Sequence, residues 1–394
     1  MNRPDLLQRM AAASRQRGRD GLHRQSITLD DFDGVHGRMD GQTVTSFCSN
    51  DYLGLAHHPV VIDALQTAAA RCGVGSTGSH LISGHRREHA QLEEDLADWT
   101  GRERALVFSS GMMANLGVMQ ALLARGDACV QDKLNHASLI DAAHTVGATL
   151  KRYPHADVQA AARQLAATGE AAALIATDGV FSMDGDVAPL AELAALAARE
   201  NATLMVDDAH GLGVVGPGGS GSVRAANLTQ NEVPVLMGTL GKALGCHGAF
   251  VAGSASLIDG LVQFARSYIY TTALPPALAA AARAAVAVAR HDSERRDKLA
   301  ALIDRFRHGA AQLGLPVMPS STPIQPLLLG DSARTEAAQN MLADAGFLVV
   351  AIRPPTVPAN RARLRITLSA GHADEDVDRL LDALAAVSKR ILSP

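Results

Sequence analysis

Aromatic side chains are scarce in this chain. Phenylalanine, tyrosine and tryptophan make up 3% of its 394 residues, and there is one tryptophan. Such scarcity argues against a stacking surface for nucleic-acid bases. Excess charge is lacking too: the formal net charge is -4, so no basic field draws the chain to nucleic acid or to an anionic membrane. The four cysteines, Cys48, Cys72, Cys129 and Cys246, are scattered without zinc-ligand spacing and are too sparse for a disulfide framework. A cytoplasmic, reducing setting is expected, with most of the thiols serving as small core groups. No apolar run is long enough to span a bilayer; the most Ala-rich stretch is broken by Pro275, Pro276 and Arg283. The N-terminal MNRPDLLQRMAAASRQRGRD has no apolar core of signal-peptide length. Its arginines imitate a transit peptide, Asp5 and Asp20 argue against one, and a solvated amphipathic helix is expected.

What is present suits a globular protein, with 47% hydrophobic and 19% charged residues. A chain of 394 residues exceeds what one core usually holds, so a large and a smaller domain are expected. Short apolar runs alternate with Ala/Leu-rich helical stretches: RALVFSS then GMMANLGVMQALLARG, DACVQD then SLIDAAHTVG, AALIATDGV then PLAELAALAARE, ATLMVDDAH, and VPVLMGTL. That order predicts an α/β fold, a mostly parallel sheet flanked by helices. After residue 280 the texture changes to a smaller α+β C-terminal domain, with helices from SERRDKLAALIDRFRHGAAQLG, SARTEAAQNMLADAG and ADEDVDRLLDALAAVSKRIL. Its strands are IQPLLLG, FLVVAI and RARLRITL. The expected division is an N-terminal segment 1–50, a large domain 51–280 and a C-terminal domain 281–394.

Ligands of open parallel sheets bind beyond the carboxyl ends of the strands. The polar residues there are Ser109, Ser110 and Gly111; His136; Asp178 and Ser182; Asp207, Asp208 and His210; and Thr239, Gly241 and Lys242. Lys242 stands alone among small residues after an apolar strand. An exposed turn lysine is the commoner fate, but small neighbours suit a lysine that forms a Schiff base with a flat aldehyde. Asp207 serves either as a turn cap or as the partner of a protonated pyridine nitrogen, with His210 then close to the ring's phenol oxygen. A metal pair would need further ligands that the sequence does not supply. Ser110 and Gly111 open a helix whose free N–H groups suit a phosphate, alongside Thr239, although a plain cap looks the same. His136 is either structural or stacked on a planar ring. Residues 73–78 match G-x-G-x-x-G, but what precedes them is helical, so a dinucleotide site is rejected in favour of a close-approach glycine loop. Arg24, Arg353 and Arg365 are candidate carboxylate ligands, against the default of surface arginines.

The strings CSNDYLGLAHHP, TDGVFSMDGD, VDDAHGLGVVGPGG, TLGKALG, IRPPTVP and RLRITLSA, in this order, resemble the α-oxoamine synthases from about Ser46 to Gly371. These are fold type I pyridoxal-phosphate enzymes that join an amino acid to an acyl thioester with loss of carbon dioxide. The resemblance implies pyridoxal phosphate on Lys242, with Asp207 as pyridinium partner, His210 at the phenol oxygen and His136 stacked on the ring. It places Ser182 near the ring, and Ser110, Gly111, Met112 and Thr239 around the cofactor. Thr271 and Thr272 would reach the phosphate across a homodimer interface. Arg24, Asn50, His136, Arg353, Thr356 and Arg365 fall at substrate positions. The Arg-Pro-Pro element implies L-alanine and a pimeloyl thioester, of CoA or acyl-carrier protein, as substrates. Glycine with acetyl-CoA is the alternative pair, and a non-catalytic binding protein of the same fold the alternative class. The chain departs from the family pattern at Met112, where phenylalanine is common, and at His80, His85 and His247.

Overall fold

A computed structural model of the chain describes residues 3–20, 22–24 and 26–391. Helix α1 (Leu6–Arg19) is capped by the Asp5 carboxylate, which accepts from the N–H groups of Leu7 and Gln8, and it buries no residue. A hairpin of β1 (His36–Met39) and β2 (Gln42–Ser46) follows. Helices α2 (Pro59–Cys72) and α3 (Arg87–Thr100) are joined through a π-helical turn at His80–Gly84. The glycine-rich stretch 73–78 therefore follows a helix, and no strand enters it.

The alternating region then runs β3 (Arg104–Phe108), α4 (Gly111–Leu122), β4 (Ala128–Asp132), α5 (Ala137–Val146), β5 (Thr149–Tyr153), α6 (Val158–Ala166), β6 (Ala173–Asp178), α7 (Leu190–Arg199), β7 (Thr203–Asp207), α8 (Ser222–Ala225), β8 (Val235–Thr239) and β9 (Ala249–Gly253). Its seven strands form one sheet in the order β3-β9-β8-β7-β6-β4-β5, parallel except for β9. Successive residues feed opposite faces. Leu174 and Ala176 of β6, Met205 of β7 and Met237 of β8 pack into one core, while Ile175, Leu204, Val206 and Leu236 pack into the other. A sheet covered on both faces needs apolar residues at every position, which is why these strands read as unbroken apolar runs. Sequence reading missed β5, α6 and β9: TLKRY is polar and half-exposed at the sheet edge, and GAFVAG carries two glycines that mask its strand character.

Helices α9 (Ala255–Phe264), α10 (Arg266–Ile269) and α11 (Pro276–His291) lead out of the sheet, and α11 packs on α2 and α3. The remainder is α12 (Ser293–Gln312), β10 (Ile324–Gly330), α13 (Ser332–Asp344), β11 (Phe347–Leu348), β12 (Val350–Ile352), β13 (Ala362–Thr367) and α14 (Asp374–Ile391). FLVVAI, expected as one strand, divides in two: β11 pairs with β2, and β12 joins β10 and β13 in an antiparallel sheet. The N-terminal hairpin and the C-terminal part thus share a sheet. The loop after β6 is tied to this C-terminal layer. Buried Arg363 pairs with Asp184 at 2.7 Å, and the Ser320 and Thr322 hydroxyls donate to the Gly185 carbonyl.

Candidate active site

The carboxyl ends of β4, β6, β7 and β8 open onto one mouth, as the parallel order requires. Lys242 lies in a tight turn after β8, where the Gly245 N–H donates to the Lys242 carbonyl and the Cys246 N–H to that of Leu240. Its Nζ is 2.8 Å from His210 Nε2. Burial brings the lysine down to about 8, against the opposing pull of the Asp207 and Asp178 carboxylates. Burial, with the positive charges of Lys242 and Arg365, holds His210 well below the usual histidine range. His210 Nδ1 is 2.7 Å from the Tyr52 hydroxyl, whose own proton goes to Asn50 Oδ1 at 3.1 Å. The assignment of donors is then consistent along the chain: ammonium to Nε2, Nδ1–H to the phenol oxygen, phenol to the amide.

Asp207 ends β7 with one oxygen accepting from the Ala209 N–H (3.1 Å) and the other from Asn115 Nδ2 (2.8 Å). The adjacent Asp208 points the other way, fully buried, and takes the N–H and hydroxyl of Ser222. Gly221 (φ +98°) is required there, because a Cβ would collide with that carboxylate. The pair therefore has divided duties: Asp207 faces the mouth and Asp208 anchors the turn that carries His210.

His136 caps α5. Its Nδ1 is 2.7 Å from the Ser138 hydroxyl and also accepts from the Ser138 N–H, while the His136 backbone N–H donates to Asp178. Ser110 caps α4 by accepting from Met113 N–H at 3.3 Å. The N–H groups of Gly111 and Met112, first in the helix, have no helical acceptor. Thr239 donates to the Gly248 carbonyl, and Thr272, exposed, meets the Ser109 hydroxyl through its carbonyl. The half-exposed Thr271 precedes it. Ser182 is buried, and its carbonyl accepts from Arg365 Nε at 2.7 Å. Arg365 also donates to Asn50 Oδ1 at 3.1 Å, so this arginine is a buried member of the mouth.

The other substrate candidates lie apart from this cluster. Arg353 pairs with Glu336 of α13 at 2.6 Å, Thr356 is exposed on the following turn, and Arg24 is exposed after α1. Met112 is 47% exposed at the mouth's rim. His80 and His85 belong to an inner cluster with His89, in which His80 stacks on Tyr268. Sequence reasoning assigned nothing to Tyr52, Asn115 or Ser138. For Asn115 a signal existed: an amide in the first turns of the mostly apolar helix GMMANLGVMQAL, whose other amide, Gln120, falls near its end.

The donor set fits pyridoxal phosphate: a desolvated strand-end lysine, a carboxylate with free lone pairs, a flat-ring neighbour, and paired N–H groups at a helix start. Fold and site together are those of a fold type I pyridoxal-phosphate enzyme. The chain belongs to the class I and II aminotransferase family, whose model matches residues 42–384. It is 54% identical over 388 residues to 8-amino-7-oxononanoate synthase of Alkalilimnicola ehrlichii, covering 98% of this chain and 99% of that one. A serine palmitoyltransferase from S. paucimobilis, solved with bound PLP, superimposes with a TM-score of 0.93 at 28% identity, covering 98% and 99% of the two chains. The 8-amino-7-oxononanoate synthase of Francisella tularensis does so with a TM-score of 0.78 at 29% identity, over 89% and 99%. Among the described residues no helix is long and apolar enough to cross a membrane, and no His/Cys/Asp/Glu group could hold a metal.

Proposed function

We propose that the chain carries out the 8-amino-7-oxononanoate synthase reaction of biotin biosynthesis, condensing L-alanine with a pimeloyl thioester and releasing carbon dioxide and the thiol. The observation that carries the reading is the end-to-end match to relatives of that name at 54% identity. The mouth built on Lys242, Asp207 and His210 supplies the chemistry it requires. Bound pyridoxal phosphate supplies an electron sink for a carbanion at the amino acid's α-carbon. Lys242 would hold it covalently, Asp207 would pair with its ring nitrogen, His136 would lie on its face, and His210 would address its phenol oxygen. Gly111 and Met112 N–H groups, with Ser110 and Thr239, hold the phosphate, and Ser182 supports the ring.

Arg365 suits the alanine carboxylate. Its Nε and Nη2 are pinned by Ser182 and Asn50, so the plane of the guanidinium is set before substrate arrives. The amino group of L-alanine would displace Lys242 from the cofactor; the freed lysine, brought to about 8, is partly neutral near neutral pH, so its Nζ takes the α-proton. The α-carbon then bonds to the thioester carbonyl carbon, the thiol departs, the carboxylate leaves as carbon dioxide, and a proton returns to the α-position. Asn50 sits beside Arg365 and His136 across the mouth, both placed to contact substrate. On the family resemblance Arg24 and Thr356 match substrate positions, and Arg353 is a candidate carboxylate contact. The working unit in this reading is a cytoplasmic homodimer, with the Thr271–Thr272 hydroxyls reaching across its interface; the exposure of Thr272 beside Ser109 supports that placement.

The test is mass analysis of the product formed from labelled L-alanine and pimeloyl-CoA, with pimeloyl-acyl-carrier protein in parallel. Labelled 8-amino-7-oxononanoate and free thiol are expected. Turnover of glycine and acetyl-CoA alone would replace this reading with the glycine C-acetyltransferase reaction, and no thiol release with any pair would leave a binding protein.

A further inference from the structure

Asn115 is fully buried in the first turns of α4, between the phosphate-binding end of the mouth and the end of β7. Its Nδ2 spends both hydrogens inside the site: one on Asp207 Oδ2 at 2.8 Å, the other on Ser138 Oγ at 2.8 Å. The amide cannot be turned over, because Oδ1 would then face a carboxylate that only accepts. Ser138, having accepted from Asn115, directs its own proton to His136 Nδ1 at 2.7 Å, where the Ser138 N–H also donates. His136 Nδ1 is thereby an acceptor twice over, which puts the ring proton on Nε2. Asn115 Oδ1 is buried without a partner among the described residues. A polar group kept at that cost in an apolar helix marks a position held for its donors.

We propose that Asn115 is a positioning residue that sets two groups at once: it orients the ionised Asp207 carboxylate and, through Ser138, fixes His136 as the neutral Nε2–H tautomer. The inference rests on the assignment of Asp207 to the cofactor's ring nitrogen. Losing one hydrogen bond to a carboxylate weakens what that carboxylate holds by about tenfold. Asn115→Ala is therefore a partial version of Asp207→Asn.

The experiment is a spectrophotometric pH titration of the visible band of the holoenzyme, with cofactor dissociation measured alongside, for wild type, Asn115→Ala, Ser138→Ala and Asp207→Asn. Asn115→Ala should move the band's midpoint in the same direction as Asp207→Asn but less, and loosen the cofactor about tenfold. Ser138→Ala should leave the midpoint in place. An Asn115→Ala titration identical to wild type, while Asp207→Asn shifts, overturns the inference alone. No shift in Asp207→Asn overturns the assignment beneath it. If Asn115→Ala does not fold, nitrogen-15 NMR of histidine-labelled wild-type protein decides: the His136 signal of an Nε2–H tautomer supports the inference, and that of Nδ1–H refutes it.

Discussion

Asp178 and Asp207 stand directly opposite each other on adjacent parallel strands, and both are buried. Two carboxylates so placed cannot both be charged at low cost. Burial, and next the charge of Asp207, push Asp178 well above its usual value. Asp178 is thus the member of the pair that burial and its neighbour hold toward the protonated form. A group whose folded value is raised costs stability as pH rises above its unfolded value near 4. Asp178→Asn, which copies the neutral acid, should keep the cofactor and raise thermal stability at neutral pH, with turnover within about a factor of ten. Asp207→Asn should lower kcat at least about a thousandfold. Equal losses from the two variants, measured by steady-state rates, would contradict the division of charge.

Lys242 is the group whose removal should be felt most. Lys242→Ala should fold, lose covalent cofactor and turn over at least about a thousandfold more slowly. Borohydride reduction followed by peptide mass analysis should find the adduct on Lys242 in the wild type and nowhere in the variant.

Arg365 offers a fixed guanidinium, with Nε and Nη2 committed to protein acceptors. Arg365→Lys keeps the charge and loses the fork geometry, so the KM for L-alanine should rise about tenfold, with a larger loss in Arg365→Ala. The KM for the thioester should move much less, and a matching rise there would assign Arg365 to the acyl donor instead.

His155 clamps the loop beneath the site between Asp132 and Asp186. Burial opposes its charge, but the hydrogen bonds it donates to those two carboxylates prevail and raise it to about 10. A raised histidine contributes stability that is complete below its unfolded value near 6.5 and is lost as pH climbs through about 10. Denaturant unfolding should show stability falling across that window, by on the order of a few kcal/mol. His155→Gln should remove that part of the fall; a pH dependence equal to wild type would place its origin elsewhere.

The positions of most strands and helices around the site were legible because burial on both faces leaves an unambiguous apolar signature, as in ATLMVDD and VPVLMGTL. Edge strand β5 lacked it, and FLVVAI divides between two sheets because its partners, β2 and β13, come from distant parts of the chain. Lys242, Asp207 and His210 could be singled out as candidates for a local reason: Asp207 ends a strand, Lys242 and His210 come three residues after one, and in a parallel sheet the strand ends meet at one edge. Asn115, Tyr52 and the buried setting of Arg365 were not, since a hydrogen bond between residues 92 or 158 positions apart leaves no periodic trace.

By itself, then, the order of residues determined the α/β architecture and the place of Lys242 and Asp207 at strand ends, because these depend on runs and neighbours. Tertiary structure alone decided that Asp178 and Asp207 lie side by side, that Ser138 reaches His136 Nδ1 and that Arg365 is buried beside Asn50. Those outcomes depend on distance and exclusion of water, and both arise only when separate segments pack together.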